Sequence, residues 1–374
     1  MILSLILTLL SITHLFASSL ATGPTCTTIS IPVSISAQNA RFPADFTTTS
    51  LLSVVGALGA VVFDSLITDS YTIVDWTGDG YSDRYSWVAA ASKAGYPTLA
   101  IDRLGNGDSD HPDPILAVQF VTSPVDKTQL TTNRYPVEVE TIHQIIVKLR
   151  AGTLPPPLNG RKFTKVIYVG HSYGSIIGNA LATSHPQDTD ALLLTGWSST
   201  FITLIPTVLG TAVVLPASLT LPRFKSLPLG YLTINSQPGF RGLFFASPGT
   251  YDPALFDYDF ANRGTITAGE AATLAFGVNT ASEYTGKVFV VTGERDAIFC
   301  NVLGLNILLG GILGTQSECG DAETGYLGRS RSLFPRASAF DAFVVPDAGH
   351  CWQLHYTAEK AFGTVHEWLA KQGF

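Results

Sequence analysis

Three residue types that together can cleave an acyl bond stand far apart in this chain. They are Ser172 in VIYVGHSYGSIIG (166–178), Asp296 in TGERD and His350 in PDAGH. A serine hydroxyl attacks a carbonyl only when a base takes its proton and nearby donors hold the oxyanion. Gly-His-Ser-Tyr-Gly is a G-x-S-x-G pattern. It puts the serine on a sharp strand-to-helix turn and aims the next N–H, here that of Tyr173, at the developing charge. Such a turn strains the serine backbone and crowds the residues two positions either side, where Gly170 and Gly174 stand. In a chain this rich in glycine and serine the pattern alone carries little, so its context must decide. The context fits: residues 165–169 read as a buried strand and 175–182 as a helix. His350 would take the serine proton, and Asp296 would fix the imidazole tautomer and stabilise the imidazolium. Each role has a rival: His355 is the second-choice base and Glu294 the runner-up acid. His171 reads as packing, because neighbours on a tight turn point apart. Asp347, and Asp102 with Arg103, read as turn-building residues.

The elements that would gather these residues are visible as apolar runs at 96–101, 166–169, 191–194, 288–291 and 342–345. Helix-compatible stretches alternate with them at 84–93, 137–150, 175–184 and 358–371. This alternation predicts an α/β fold with a mostly parallel sheet and helices on both faces. Ligands bind at the carboxyl ends of such strands, where Ser172, Asp296 and His350 fall. Three prolines at 155–157 form a linker into the nucleophile strand. Between 197 and 277 the pattern breaks into prolines, the end of an uncharged run (191–222) and an aromatic cluster (244–260). This region reads as a helical cap whose apolar side chains line a substrate pocket. The organisation predicted is a leader at 1–21, core at 22–196, cap at 197–277 and core again at 278–374.

Composition narrows the class. At 46% hydrophobic and 14% charged, the chain is far from a disordered composition. A net charge of −7 with no basic run argues against nucleic acid as a partner. Met1–Ala21 is apolar and ends in small residues, which predicts a secretory signal peptide rather than a stable membrane anchor. The uncharged run at 191–222 is long enough to span a membrane, but Pro206 and Pro216 interrupt it. The four cysteines, an even number in a secreted chain, suggest two disulfides. Cys300–Cys319 is the most local of three possible pairings and leaves Cys26–Cys351. That first bond would pin the apolar loop VLGLNILLGGILGTQSE beside the site. The scattered histidines and the lack of any C-x-x-C give no metal-ligand spacing, so neither metal nor cofactor is expected.

Several stretches together carry a resemblance. DRYSWVAAASKAGYPTLAIDRLGNGDSDHPDP, VIYVGHSYGSIIG, LLLTGWSS, VFVVTGERDAIFC and VVPDAGHCWQLH resemble the serine-type α/β-hydrolases, and more narrowly secreted ascomycete members of that superfamily. The order Ser, acid, His is also that of the superfamily. The resemblance implies a Ser172–Asp296–His350 triad with the Tyr173 N–H in the oxyanion hole. It does not imply a substrate. One departure stands out. Such proteins carry His-Gly at the end of the strand before Tyr71, on a loop that supplies the second oxyanion donor. Counting back without gaps, Ile67-Thr68 takes that place here, which makes the Thr68 N–H the counterpart donor. The expectation is a secreted serine hydrolase acting on a small-molecule ester or lactone with an apolar portion. The alternative is a hydrophobe-binding protein on a hydrolase scaffold with a degraded oxyanion hole. Lyase or acyl-transfer chemistry would use the same triad.

Overall fold

The computed structural model describes residues 29–41, 62–74, 82–112, 114, 137–200, 213–273, 278–300 and 318–374. The leader, Cys26 and the loop at 302–317 lie outside them.

The centre is a four-stranded parallel sheet. Its strands, in spatial order, are β3 (Ile167–His171), β4 (Ala191–Thr195), β8 (Lys287–Gly293) and β9 (Ala339–Val345). Side chains alternate faces along each strand. Leu192, Leu194, Val288 and Val290 pack to one side, against Ile176, Ile177 and Leu181 of helix α3 (Tyr173–Ser184). Leu193, Phe289 and Val291 face the other side, against Phe362, Val365 and Trp368 of helix α8 (Ala358–Lys371). Both faces are covered, which is why these strands read as continuous apolar runs. Helix α8 buries Ala358, Ala361, Phe362, Val365, Trp368 and Leu369, a stripe at three- and four-residue spacing.

Around this centre lie helix α1 (Trp87–Lys93), helix α2 (Val137–Ala151) and the one-turn helix α7 (Tyr326–Arg329). A long antiparallel hairpin, β1 (Ser30–Arg41) with β2 (Val62–Val74), forms a separate two-stranded sheet. Ile31 and Val33 of β1 pack with Val137 and Ile145 of α2. The run at 96–101 does not become a strand. Among the described residues only Ile101 makes an isolated bridge, and the parallel sheet has β3 as its edge on this side.

The described part of the predicted cap is mixed rather than helical. It holds a small antiparallel sheet of β5 (Val214–Pro216), β6 (Tyr231–Ile234) and β7 (Ile266–Thr267). The helices are α4 (Gln237–Phe244), α5 (Pro253–Asn262) and α6 (Ala268–Thr273). Proline opens both α4 and α5, where its missing N–H costs nothing, and Ser236 and Asp252 cap them.

Candidate active site

Ser172 lies between β3 and α3, as the N-cap of α3, with φ 54° and ψ −116°, a strained backbone for a residue with a side chain. Several bonds hold the strain. Ser172 N donates to Thr195 O (2.8 Å) on the neighbouring strand, and Ser172 O accepts from Ser175 N (2.9 Å). Fully buried Ser175 Oγ accepts from Thr195 N (2.9 Å) and lies 2.8 Å from the carbonyls of Gly170 and Thr195, donating to one of them. Tyr168 Oη donates to Gly174 O (2.7 Å), tethering the first turn of α3 to its own strand. The two glycines differ. A Cβ on Gly170 would meet Gly174 O at 2.4 Å, whereas one on Gly174 would meet only Tyr168 Oη at 3.9 Å. Only Gly170 is therefore sterically required. Tyr173 is the first residue of α3, where helix geometry points the N–H away from the helix's own carbonyls.

Asp296 follows β8 and His350 follows β9, and the structure joins them. His350 Nδ1–H donates to Asp296 Oδ2 at 2.7 Å, with both side chains almost wholly inaccessible to solvent. Asp296 Oδ1 accepts from Ile298 N and Phe299 N, both at 2.8 Å. Both carboxylate oxygens are thus engaged by donors, which fixes the orientation of the group. Nδ1 carries the proton, so His350 Nε2 is left as a lone-pair acceptor. It is buried with no hydrogen-bond partner among the described residues, and the bond to Ser172 is not closed. Apo sites commonly make that contact only when substrate arrives.

The other candidates separate clearly. His355 is committed elsewhere: its Nδ1–H donates to Cys351 O (3.0 Å), and its Nε2 accepts from Ala246 N (3.1 Å) and Gly349 N (3.2 Å). Burial pulls its pKa down to about 4, keeping it neutral. Glu294 accepts from Asp347 N (3.0 Å) and pairs with Arg295 at the surface. Asp347 takes φ 53° in the turn before His350. Asp102 accepts from Asp108 N (3.0 Å) and braces its own loop.

His171 does more than pack. Its ring lies 4.9 Å from that of His350, and its Nδ1 is 3.1 Å from Thr195 Oγ1. Burial, and then the neighbouring His350, hold its pKa well below the ordinary range. A neutral His171 does not oppose an imidazolium on His350. Thr68 does not end a strand. β2 continues through it to Val74, with Thr68 opposite Ser36, so the expected loop donor is replaced by a residue inside a ladder. Cys300 and Cys319 are disulfide-bonded, with Cα atoms 4.8 Å apart. Cys351 is a free thiol among the described residues, and Cys26, its expected partner, lies outside them. Cys351 Sγ sits 3.9 Å from His171 Nε2, and burial, then Asp259 and Asp296, push the thiol pKa well up.

The cap reaches the site through its aromatic cluster. The Phe244 ring is 5.8 Å from His350, and Phe240, Phe245, Tyr251 and Phe256 pack behind it. Gly349 allows the approach, since a Cβ there would strike Phe245 C at 2.5 Å and Ala246 N at 2.6 Å. A buried ionic cluster was invisible in the sequence. Arg103 pairs with Glu138 of α2 (2.7 Å) and with Glu270 of α6, and stacks over the Tyr173 ring (4.7 Å).

A family model for the alpha/beta hydrolase family matches residues 72–361, and the chain belongs to that family. No curated protein matches the sequence. Among solved structures the chain is similar to a bromoperoxidase from Bacillus anthracis (14% identity, 81% of this chain and 96% of that one, TM-score 0.47). It is also similar to a thermophilic esterase from Thermogutta terrifontis (15%, 81% and 94%, TM-score 0.43). A third similar structure is a monoacylglycerol lipase from Paleococcus ferrophilus (15%, 78% and 90%, TM-score 0.42).

Proposed function

We propose that the protein is a secreted serine hydrolase that cleaves a carboxylic ester or lactone with an apolar portion. The observation that carries this reading is the buried Asp296–His350 bond, with Nε2 left as an acceptor on the loop beyond β9. The strained Ser172 on the β3–α3 turn completes the set. In the proposed reaction Ser172 Oγ adds to the carbonyl while His350 Nε2 takes its proton. The Tyr173 N–H, at the positive end of α3, stabilises the oxyanion. His350 returns the proton to the leaving alcohol oxygen. Water then adds to the acyl-enzyme by the same route and releases the acid. The aromatic cluster behind Phe244 supports the apolar portion of the substrate. Secretion rests on the apolar segment at 1–21.

The test is hydrolysis of p-nitrophenyl esters of increasing acyl length by the full secreted chain and by Ser172→Ala. Turnover lost in the variant, with a preference for medium or long chains, is the expected result. Turnover that survives in Ser172→Ala would remove the nucleophile. Hydrolysis confined to small charged esters would remove the apolar substrate.

A second reading, hydrophobe binding without turnover, is favoured by the place of Thr68 inside the β1–β2 ladder. One missing oxyanion donor costs about 10²–10³ in rate. Tight binding of a fatty acid by folded protein that turns over none of the esters would support it.

A further inference from the structure

Helix α3 carries Ser172 at its N-terminus and His185 just past its C-terminus, as its C-cap. Its 12 residues put the two ends about 18 Å apart. At the His185 end two short segments meet. Helix α2 offers Glu140 and His143, three residues apart on one helical face, and the turn after α3 offers His185 and Asp188 at the same spacing. The pairs cross: His143 Nδ1–H donates to Asp188 Oδ2 (2.7 Å), and His185 Nε2–H donates to Glu140 Oε1 (2.8 Å). The two imidazoles lie face to face, with centroids 3.8 Å apart and planes within 9° of parallel. One potential ligand atom from each of His143, His185 and Asp188 lies within 4.8 Å of the others.

We propose that Glu140, His143, His185 and Asp188 form a binding site for a divalent transition-metal ion of the Zn²⁺ class, which fastens helix α2 to the end of α3. Two imidazoles and two carboxylates are a nitrogen–oxygen set that Zn²⁺ and Co²⁺ accept. Hard ions such as Ca²⁺ and Mg²⁺ take oxygen ligands instead. Two carboxylates and two neutral imidazoles around a divalent ion sum to zero charge, so a partly buried site carries no excess. The four side chains are 11–22% exposed, open enough for an ion to enter and shielded enough to hold it. Tetrahedral Zn²⁺ holds its ligand atoms about 3.3 Å apart. The ligand atoms therefore close in from their present spacing. Ring nitrogens bind an ion in the plane of the ring through a free lone pair, so the parallel rings must also tilt toward each other. A binding nitrogen that now carries a proton passes it through solvent to the other nitrogen of its ring, and each carboxylate exchanges its hydrogen bond for a bond to the ion. The competing account is a metal-free lock, in which the two hydrogen-bonded pairs alone hold the helices.

The site does not depend on the proposed hydrolase chemistry, so its test is separate. The full chain is stripped with chelator, shown to be folded by circular dichroism, and titrated with Co²⁺ while visible absorption is recorded. Zn²⁺ is then added in competition. The expected result is one equivalent of Co²⁺ with a ligand-field band that Zn²⁺ abolishes. His143→Gln and His185→Gln should each weaken binding by at least about 10²-fold, since losing a ligand exceeds the loss of an outer-shell partner. Zn²⁺ should also raise the melting temperature of the wild type and not of these variants. If either histidine variant does not fold, Asp188→Asn takes its place with the same expectation. A folded wild type that binds neither ion, or variants that bind like the wild type, would overturn the site and leave the metal-free lock.

Discussion

At the scale of single residues, the site rests on which lone pairs are already used. Asp296 spends one oxygen on two backbone N–H groups and the other on His350, so its orientation is set before substrate arrives. Asp296→Asn keeps the shape but can present an N–H to Nδ1, which would flip the imidazole tautomer and remove the acceptor at Nε2. Ester kcat is expected to fall by about 10⁴-fold with a largely unchanged melting temperature. A loss below tenfold, measured by steady-state kinetics, would return the acid role to another group. The glycines give a second residue-scale prediction. Gly170→Ala drives a Cβ into the backbone of Gly174, whereas Gly174→Ala meets open space. The first should abolish activity and lower stability, and the second should be tolerated at both readouts. Equal effects would mean that the turn relaxes in a way the geometry does not predict.

At the scale of elements, the parallel sheet was legible because both of its faces are buried. Short unbroken apolar runs such as ALLLT and VFVV, each at the end of a loop and too short for a helix, suit strands buried on both faces. Helix α8 was legible from its apolar spacing, and Ser172, Asp296 and His350 fell at strand ends because the runs before them are strands. The misreadings share a physical cause. The segment at 96–101 has strand-like residues but, among the described residues, pairs only at the Ile101 bridge, and Thr68 lies within a hairpin strand whose length counting back from Tyr71 does not reveal. The role of His355 was hidden too, because one of its partners, Ala246, comes from the cap more than a hundred residues earlier. Its two ring nitrogens join three backbone groups across the cap and the His350 loop. His355→Ala strands two buried N–H donors, each costing about 1–3 kcal/mol. The variant should unfold at roughly 2–6 kcal/mol less, and measured activity should fall with it as the Phe244–Ala246 segment loses its anchor. The pKa of this histidine is depressed when folded. Its contribution is therefore complete above the ordinary imidazole range and fades as pH drops toward about 4. Equal chemical stability of wild type and variant at neutral pH would refute this fastening.

At the scale of the whole molecule, core, elbow and cap meet at one buried charge cluster. Arg103 leaves the loop after Ile101, Glu138 comes from α2, Glu270 from α6 of the cap, and Tyr173 from the elbow itself. One cation faces two carboxylates, so the cluster holds an excess negative charge unless one acid keeps its proton. Glu138 is the acid whose hold on a proton burial strengthens. Burial raises its pKa most, Arg103 opposes, Glu270 adds to the rise, and the result is about 8. The folded state therefore binds this proton more tightly than the unfolded chain does. The stability it contributes is complete below the ordinary carboxylate range and is lost as pH rises through about 8. Thermal melts between pH 6 and 9 should show the wild type losing several degrees across that window. Glu138→Gln, which keeps the shape and removes the charge change, should flatten the curve and leave the variant the more stable form at about pH 9. Arg103→Ala would leave two buried acids without a cation, and breaking such a pair costs about 3–5 kcal/mol. Its melting temperature should fall most at alkaline pH and recover partly on acidification, as the acids take up protons. Parallel curves for wild type and Glu138→Gln would place the proton elsewhere and dissolve this link between cap and elbow. A flattened curve, with ester activity lost in the same alkaline window only in the wild type, would tie the cap's hold on Tyr173 to the state of a single carboxyl group.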